Sequence, residues 1–170
     1  MRHVTDAEFQ TAFDQHKDAV YRFAWRMSGS ATAAEDITQD VFVGLLRHPD
    51  RFDPARGTLR AFLLGIARNL ALKHWRAEHR FEPLDDEAVV AEPVDLERGE
   101  VGDIVGRAVR ALRPLQREVV ILAEYEGLTL AEIARAVDAD VGTVKSRLHR
   151  ARENLRRRLA PLRSRQPTAM

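Results

Sequence analysis

An all-α fold of two small helical domains joined by an acidic linker is predicted by three observations. Apolar residues recur with a period near 3.6 through most of the chain. No stretch alternates apolar and polar residues between turn clusters, as a half-buried strand would. Residues 81–103 break the pattern. They carry Pro83, Pro93, Gly99 and nine acids against the single Arg98, a net charge of −8.

The elements follow in order. A first helix is expected from Asp6 to Met27, with Phe9, Phe13, Val20, Phe23 and Met27 on one face. Ser28-Gly29-Ser30 ends it. Thr32-Ala33-Ala34-Glu35 reads as a capping box opening a second helix to Leu46. His48 to Gly57 is a loop with two prolines and a glycine. A long helix follows, from Thr58 to Arg80. Residues 81–102 read as the linker between a domain at 1–80 and another at 103–165. A helix at Gly102 to Ala111 comes next. Another opens at Leu112-Arg113-Pro114, where proline suits a first turn, and stops at Gly127.

The stretch from Leu128 to Arg152 then forms a helix-turn-helix. Thr129 and Glu132 make a capping box for the first helix, whose inner face is Leu130, Ile133, Ala134 and Val137. Asp138 stands where the turn needs a residue tolerant of positive φ, and Asp140 is placed to cap the second helix. On a helical wheel Val144, Leu148, Ala151 and Leu155 cluster on one side. Lys145, Ser146, His149, Arg150, Glu153 and Arg156 point away. Gly142 and Thr143 lie in the first turn, where backbone N–H groups are free to meet a phosphate. A helix of this kind offers donors to base edges, flanked by cations for the backbone.

Charge and composition narrow the function. The net charge of +1 over 170 residues hides an asymmetry, because residues 140–170 carry nine Lys and Arg against two acids. A polyanion partner or a solvated basic tail would each explain it, and charge alone does not separate them. With no cysteine, disulfides, thiolate zinc sites and cysteine nucleophiles are excluded. No secretion signal or membrane-spanning run is present, so a cytoplasmic protein without membrane insertion is expected. An enzyme has little support. No P-loop, GxSxG or GxGxxG occurs, and among the six histidines His74 and His79, five apart, lack the helical spacing of metal ligands. No cofactor and no metal is expected.

The string GTVKSRLHRAR after LTLAEIARAV resembles region 4 of sigma-70-family factors of the extracytoplasmic-function (ECF) group, and Leu112 to Glu118 resembles the helix before it. Those factors are the RNA polymerase subunits that choose promoters. The resemblance implies that Thr143, Lys145, Ser146, Arg147, His149, Arg150 and Arg152 meet the −35 promoter element, the last of these with Thr143 and Arg147 near the backbone. The N-terminal half carries a second, independent match. Ala34 to Phe42 is similar to the region that docks on the β′ clamp, which implies polymerase contacts for Asp36, Gln39, Asp40 and Val43. On the wheel these four share a face distinct from Ile37, Val41 and Leu45; a solvated acidic face would look the same. Phe52-Asp53-Pro54 to Asn69 is similar to the regions that melt and read the −10 element. The resemblance assigns Phe52, Arg56, Phe62, Asn69, Lys73, Arg76 and Arg80 to that strand. Cations interleaved with aromatics suit single-stranded DNA, where stacking is worth about 1–3 kcal/mol per base.

Several positions depart from the family pattern. Phe62 stands where Trp is common and Lys73 where an acid is common, so Phe62 and Trp75 read either as core or as stacking residues. Asp138 replaces a glycine and Asp140 a serine. The implied partners are core RNA polymerase through its β′ clamp and β flap, promoter DNA, and a cognate anti-sigma factor. The short acidic linker, which the resemblance routes through the polymerase, fits nucleic-acid mimicry and plain solvation equally. A stand-alone helix-turn-helix regulator is the alternative, though no receiver-like strands precede the motif.

Overall fold

The structure, a computed structural model, describes residues 3–84 and 100–164 and contains no strand among them. The predicted linker lies largely outside the described residues. Helix α1 spans Asp6–Ser28, α2 Ala31–Arg47 and α3 Leu59–Glu78. In the C-terminal half α4 spans Val101–Ala111, α5 Pro114–Val120, α6 Leu130–Ala136, α7 Val141–Arg158 and α8 Ala160–Arg163.

Local chemistry sets most boundaries. Thr5 caps α1 by accepting from the Glu8 N–H, and Gly29 closes it at φ 68°. Helix α2 starts two residues earlier than expected. Ser30, not Thr32, is the cap, because its hydroxyl accepts from the Ala33 N–H. The loop before α3 coils into two 3-10 turns, Pro49–Arg51 and Pro54–Arg56, each opened by proline. Thr58 caps α3. The helix opened by Pro114 does not run on to Gly127 as a plain α-helix. It widens into a π turn at Ile121–Tyr125 before Gly127 turns the chain at φ 66°.

Helices α1, α2 and α3 pack around Phe23, Ile37, Val41, Leu63 and Leu64, all essentially inaccessible. In the other half, Val119, Ile121, Leu122, Ile133, Val144 and Leu148 form the centre. These two centres join into one apolar cluster. Helix α1 touches α4, α5 and the π turn, and α3 touches α5 and α6. The halves therefore lie folded against each other.

Candidate nucleic-acid interface

The helix-turn-helix forms as its residues require. Thr129 and Glu132 complete a reciprocal capping box. Asp138 takes φ 51°, making it the sole described non-glycine residue with positive φ. The Asp140 carboxylate accepts the Thr143 N–H at 2.7 Å, which holds its pKa below the usual value and occupies one first-turn donor of α7. Val144, Leu148 and Ala151 are buried, so α7 is held by one stripe. Lys145, Ser146, His149, Arg150 and Arg152 are exposed on its other sides. Three arginines, Arg156, Arg157 and Arg158, fill its last turn and suit the negative end of the helix dipole.

Arg147 and Arg152 of α7 meet acids of the preceding helical segment, and Arg156 pairs with Glu153 within α7. Arg147 turns inward, 20% exposed, with a guanidinium nitrogen 4.0 Å from Glu118. Arg152 pairs with Glu124 at 2.7 Å, and both are half exposed. Of the seven residues read for the −35 element, Lys145, Ser146, His149 and Arg150 share the open face with Arg152 beside them. Thr143 is half-buried in the first turn, and Arg147 faces the protein.

On the N-terminal half, Asp36, Gln39 and Asp40 are exposed and Val43 half-buried beside them, while Ile37, Val41 and Leu45 are buried. The two faces read from the wheel of α2 are thus physically separate. The residues read for the −10 element divide. Phe52 and Phe62 pack ring to ring at 5.4 Å, and Phe62 leans on the core. With Arg56 and Asn69 they line a cleft of about 670 Å³. Lys73, Arg76 and Arg80 are exposed farther along, beyond the residues that line it. Trp75 is half-buried and stacks on His79 at 4.6 Å.

The far wall of that cleft comes from α6 and the turn after it: Glu132, Arg135, Ala136 and Asp138. Ala136 lies over Gly65 so closely that a Cβ at Gly65 would stand 3.5 Å from the Ala136 Cα. Arg135 donates to the Arg56 carbonyl. Buried acids of the C-terminal half meet arginines of the N-terminal half. Arg68 binds Glu118 through two hydrogen bonds, 2.7 and 3.0 Å. Arg60 binds Glu126 at 2.6 Å and also donates to its backbone carbonyl. Arg22 and Arg26 approach Glu126 at 3.6 and 3.9 Å. Both carboxylates have no accessible side-chain surface. Burial pushes Glu118 above the usual carboxylate range, against the opposing hydrogen bond and charge of Arg68 and the charge of Arg147. Arg117 donates to the Met27 and Leu112 carbonyls, and burial, with the charge of Arg110, lowers it to about 10.

Neither acid, nor Arg22, Arg26, Arg60 or Arg68, was singled out from sequence as a site residue; of their partners only Arg147 was. A faint signal existed, since Glu118 abuts the apolar run Val119 to Ala123, where an unpaired carboxylate would be costly. Among the described residues, no group of three or more His, Cys, Asp or Glu is placed to hold a metal, and no helix is long and apolar enough to cross a membrane.

Comparison with known proteins bears on both halves. Residues 12–81 match the family model of Sigma-70 region 2, and residues 102–155 match that of Sigma-70, region 4. The chain is 37% identical over 154 residues to the ECF RNA polymerase sigma factor SigE of Mycolicibacterium smegmatis, covering 86% of this chain and 59% of that protein. It is 32% identical over 169 residues to SigW of Bacillus subtilis, another ECF RNA polymerase sigma factor, covering 91% and 90%. The chain thus spans about 60% of the length of SigE and of a Streptomyces coelicolor relative, BldN. Among solved structures, the sigma factor RpoE of Bartonella quintana in complex with the anti-sigma factor NepR superposes with a TM-score of 0.71 at 27% identity, covering 90% of this chain and 97% of that one. CnrH in complex with the cytosolic domain of CnrY gives a TM-score of 0.68 at 26% identity, covering 95% and 92%.

Proposed function

The chain belongs to the sigma-70 family of RNA polymerase sigma factors, in its ECF group, and from that premise we propose that it binds bacterial core RNA polymerase and directs it to specific promoters. Residues 1–80 act as the polymerase-binding and −10-reading part, residues 103–165 read the −35 element, and residues 81–102 connect them. The protein catalyses nothing itself and works in the cytoplasm without a cofactor.

One observation carries this reading. The single buried stripe of α7 leaves Lys145, Ser146, His149 and Arg150 facing outward from a helix-turn-helix whose two helices are both N-capped by side chains. A bidentate Arg or Lys contact to guanine on that face discriminates by about 1–3 kcal/mol. The exposed Asp36, Gln39 and Asp40 supply an acidic face for the β′ clamp, which a free-standing regulator would not need. The −10 strand is taken by Phe52, Arg56, Phe62 and Asn69 in the cleft, with Lys73, Arg76 and Arg80 along its backbone. RpoE binds an anti-sigma factor, and a partner of that kind is proposed for this chain also.

The test is transcription from a promoter library with purified core polymerase. The chain should select a set of templates sharing paired −35 and −10 sequences. Reversing Asp36 and Asp40 to Lys should abolish both selection and association with core polymerase, with the helical circular dichroism unchanged. Undiminished initiation by the doubly reversed chain would overturn the docking surface.

A further inference from the structure

Phe81 is 100% exposed, and the next large apolar residue among those described, Val101, is 64% exposed. A lone apolar side chain at the surface is ordinary. This one is held out from both sides. The Glu82 N–H donates to the His79 carbonyl at 3.2 Å, closing a turn with Arg80 and Phe81 at its corner. On one side His79 is fixed to the end of α3. Its N–H donates to the Trp75 carbonyl at 2.9 Å, and its ring stacks on Trp75. On the other side Glu82 pairs with Arg113 at 2.8 Å, and Leu84 packs against the apolar core. The corner of a tethered turn thus offers an aromatic ring next to a cation.

That setting suits a nucleobase better than a protein surface. A protein partner covers an apolar patch, but Arg80, Glu82 and Pro83 around Phe81 are all exposed and only the proline is apolar. Lys73 and Arg76 are exposed on α3 just before the turn. A planar ring flanked by cations is how unpaired nucleic acid is held, with the ring against a base and the cations against phosphates. Resting on the function proposed above, we propose that Phe81 is a second stacking platform for the melted promoter strand, reached along Lys73, Arg76 and Arg80. Asn69 in the Phe52–Phe62 cleft and Glu78 at the end of α3 lie about 14 Å apart along the helix axis, so Phe81 holds a different base from the one in the cleft.

The test uses holoenzyme assembled from the full chain and purified core polymerase. Its template is a promoter opened in advance by mismatches across the −10 element. The base analogue 2-aminopurine, whose emission falls when it stacks, is placed at successive positions of the captured strand. Phe81→Ala should raise the emission at one position and weaken template binding about tenfold, equivalent to about 1.4 kcal/mol and within the worth of one stacked base. Phe81→Trp should keep both the quenching and the affinity. Phe81→Leu, apolar but without a ring, should behave as Phe81→Ala does. Because the ring is fully exposed, none of these changes should alter the helical circular dichroism or duplex −35 binding. Parental binding by Phe81→Leu, an emission profile shared by Phe81→Ala and the parent chain, or weakened association of Phe81→Ala with core polymerase would each overturn the proposal. Normal initiation by the parent with no difference among the Phe81 variants sinks the platform alone. Absence of initiation by the parent takes the function proposed above down with it.

Discussion

Glu118 concentrates the tension in this protein. It has no accessible side-chain surface, and burial raises its pKa although two arginines stand against it. Desolvation therefore outweighs pairing, as is common for buried ion pairs. Removing one partner from such a pair is far costlier than never having built it, because the remaining charge is stranded. Arg68→Ala should thus destabilise the chain by up to about 3 kcal/mol at pH 8, with only Arg147 at 4.0 Å left to compensate. The sign of the pH dependence follows from the direction of the shift. A carboxyl whose folded-state pKa lies above its unfolded value contributes stability below the unfolded value and loses it as pH rises through the folded one. Without Arg68 the folded pKa climbs further, so the deficit should shrink on moving from pH 8 to pH 5. Urea unfolding at the two pH values checks this, and a deficit of equal size at both would show that Glu118 is not its source. Arg147 itself was legible in principle. Its position lies only about 60° from the buried stripe of α7, so a strict reading of the wheel places it beside the core. The family resemblance, which groups it with its outward neighbours, drew it to the DNA face instead.

At the scale of single elements, what was legible was what is local. Thr129 with Glu132, Asp138 and Asp140 act within four residues of the groups they serve, so their spacing alone specifies the helix-turn-helix. The misplaced cap of α2 shows the limit of that logic. Thr32-Ala33-Ala34-Glu35 satisfies the capping-box pattern, but Ser30, two residues earlier, reaches the Ala33 N–H and starts the helix there. The π turn at Ile121–Tyr125 left no periodic signature, because Val119 to Leu122 is buried on every side and no face is distinguished from another. Thr129 is the cleanest place to weigh a cap. Its hydroxyl accepts the Glu132 N–H, and the Glu132 carboxylate accepts the Thr129 N–H. Thr129→Ala removes the first of these and should cost about 0.5–2 kcal/mol. Helix α6 positions α7, so −35 binding should fall alongside stability, while association with core polymerase through α2 should not change. Thermal unfolding and a polymerase pull-down on the same variant separate the two effects.

The whole molecule is where sequence was least informative and structure most. Periodicity located helices, and charge blocks located the boundary between halves, but neither carries information about which distant faces meet. The contact of α6 with α3 depends on a small residue at each side, Gly65 and Ala136, and on arginines and acids separated by 50 and 66 positions. Arg22 and Arg60, with half and about a third of their side-chain surface exposed, leave part of the clamp open to ions. Screening shortens the Debye length from about 10 Å at 0.1 M to about 3 Å at 1 M salt, so the closed arrangement should loosen as salt rises. The absence of cysteine makes this directly measurable. Dyes on Thr32→Cys and Ala160→Cys, both exposed and on opposite halves, report the separation by energy transfer. Transfer should fall as sodium chloride rises from 0.1 to 1 M. Glu126→Gln should start from the lower value and respond less, because its part of the clamp is already released. Transfer that ignores salt in both chains would mean that apolar packing across Gly65 and Ala136, rather than the arginine–carboxylate pairs, holds the halves together.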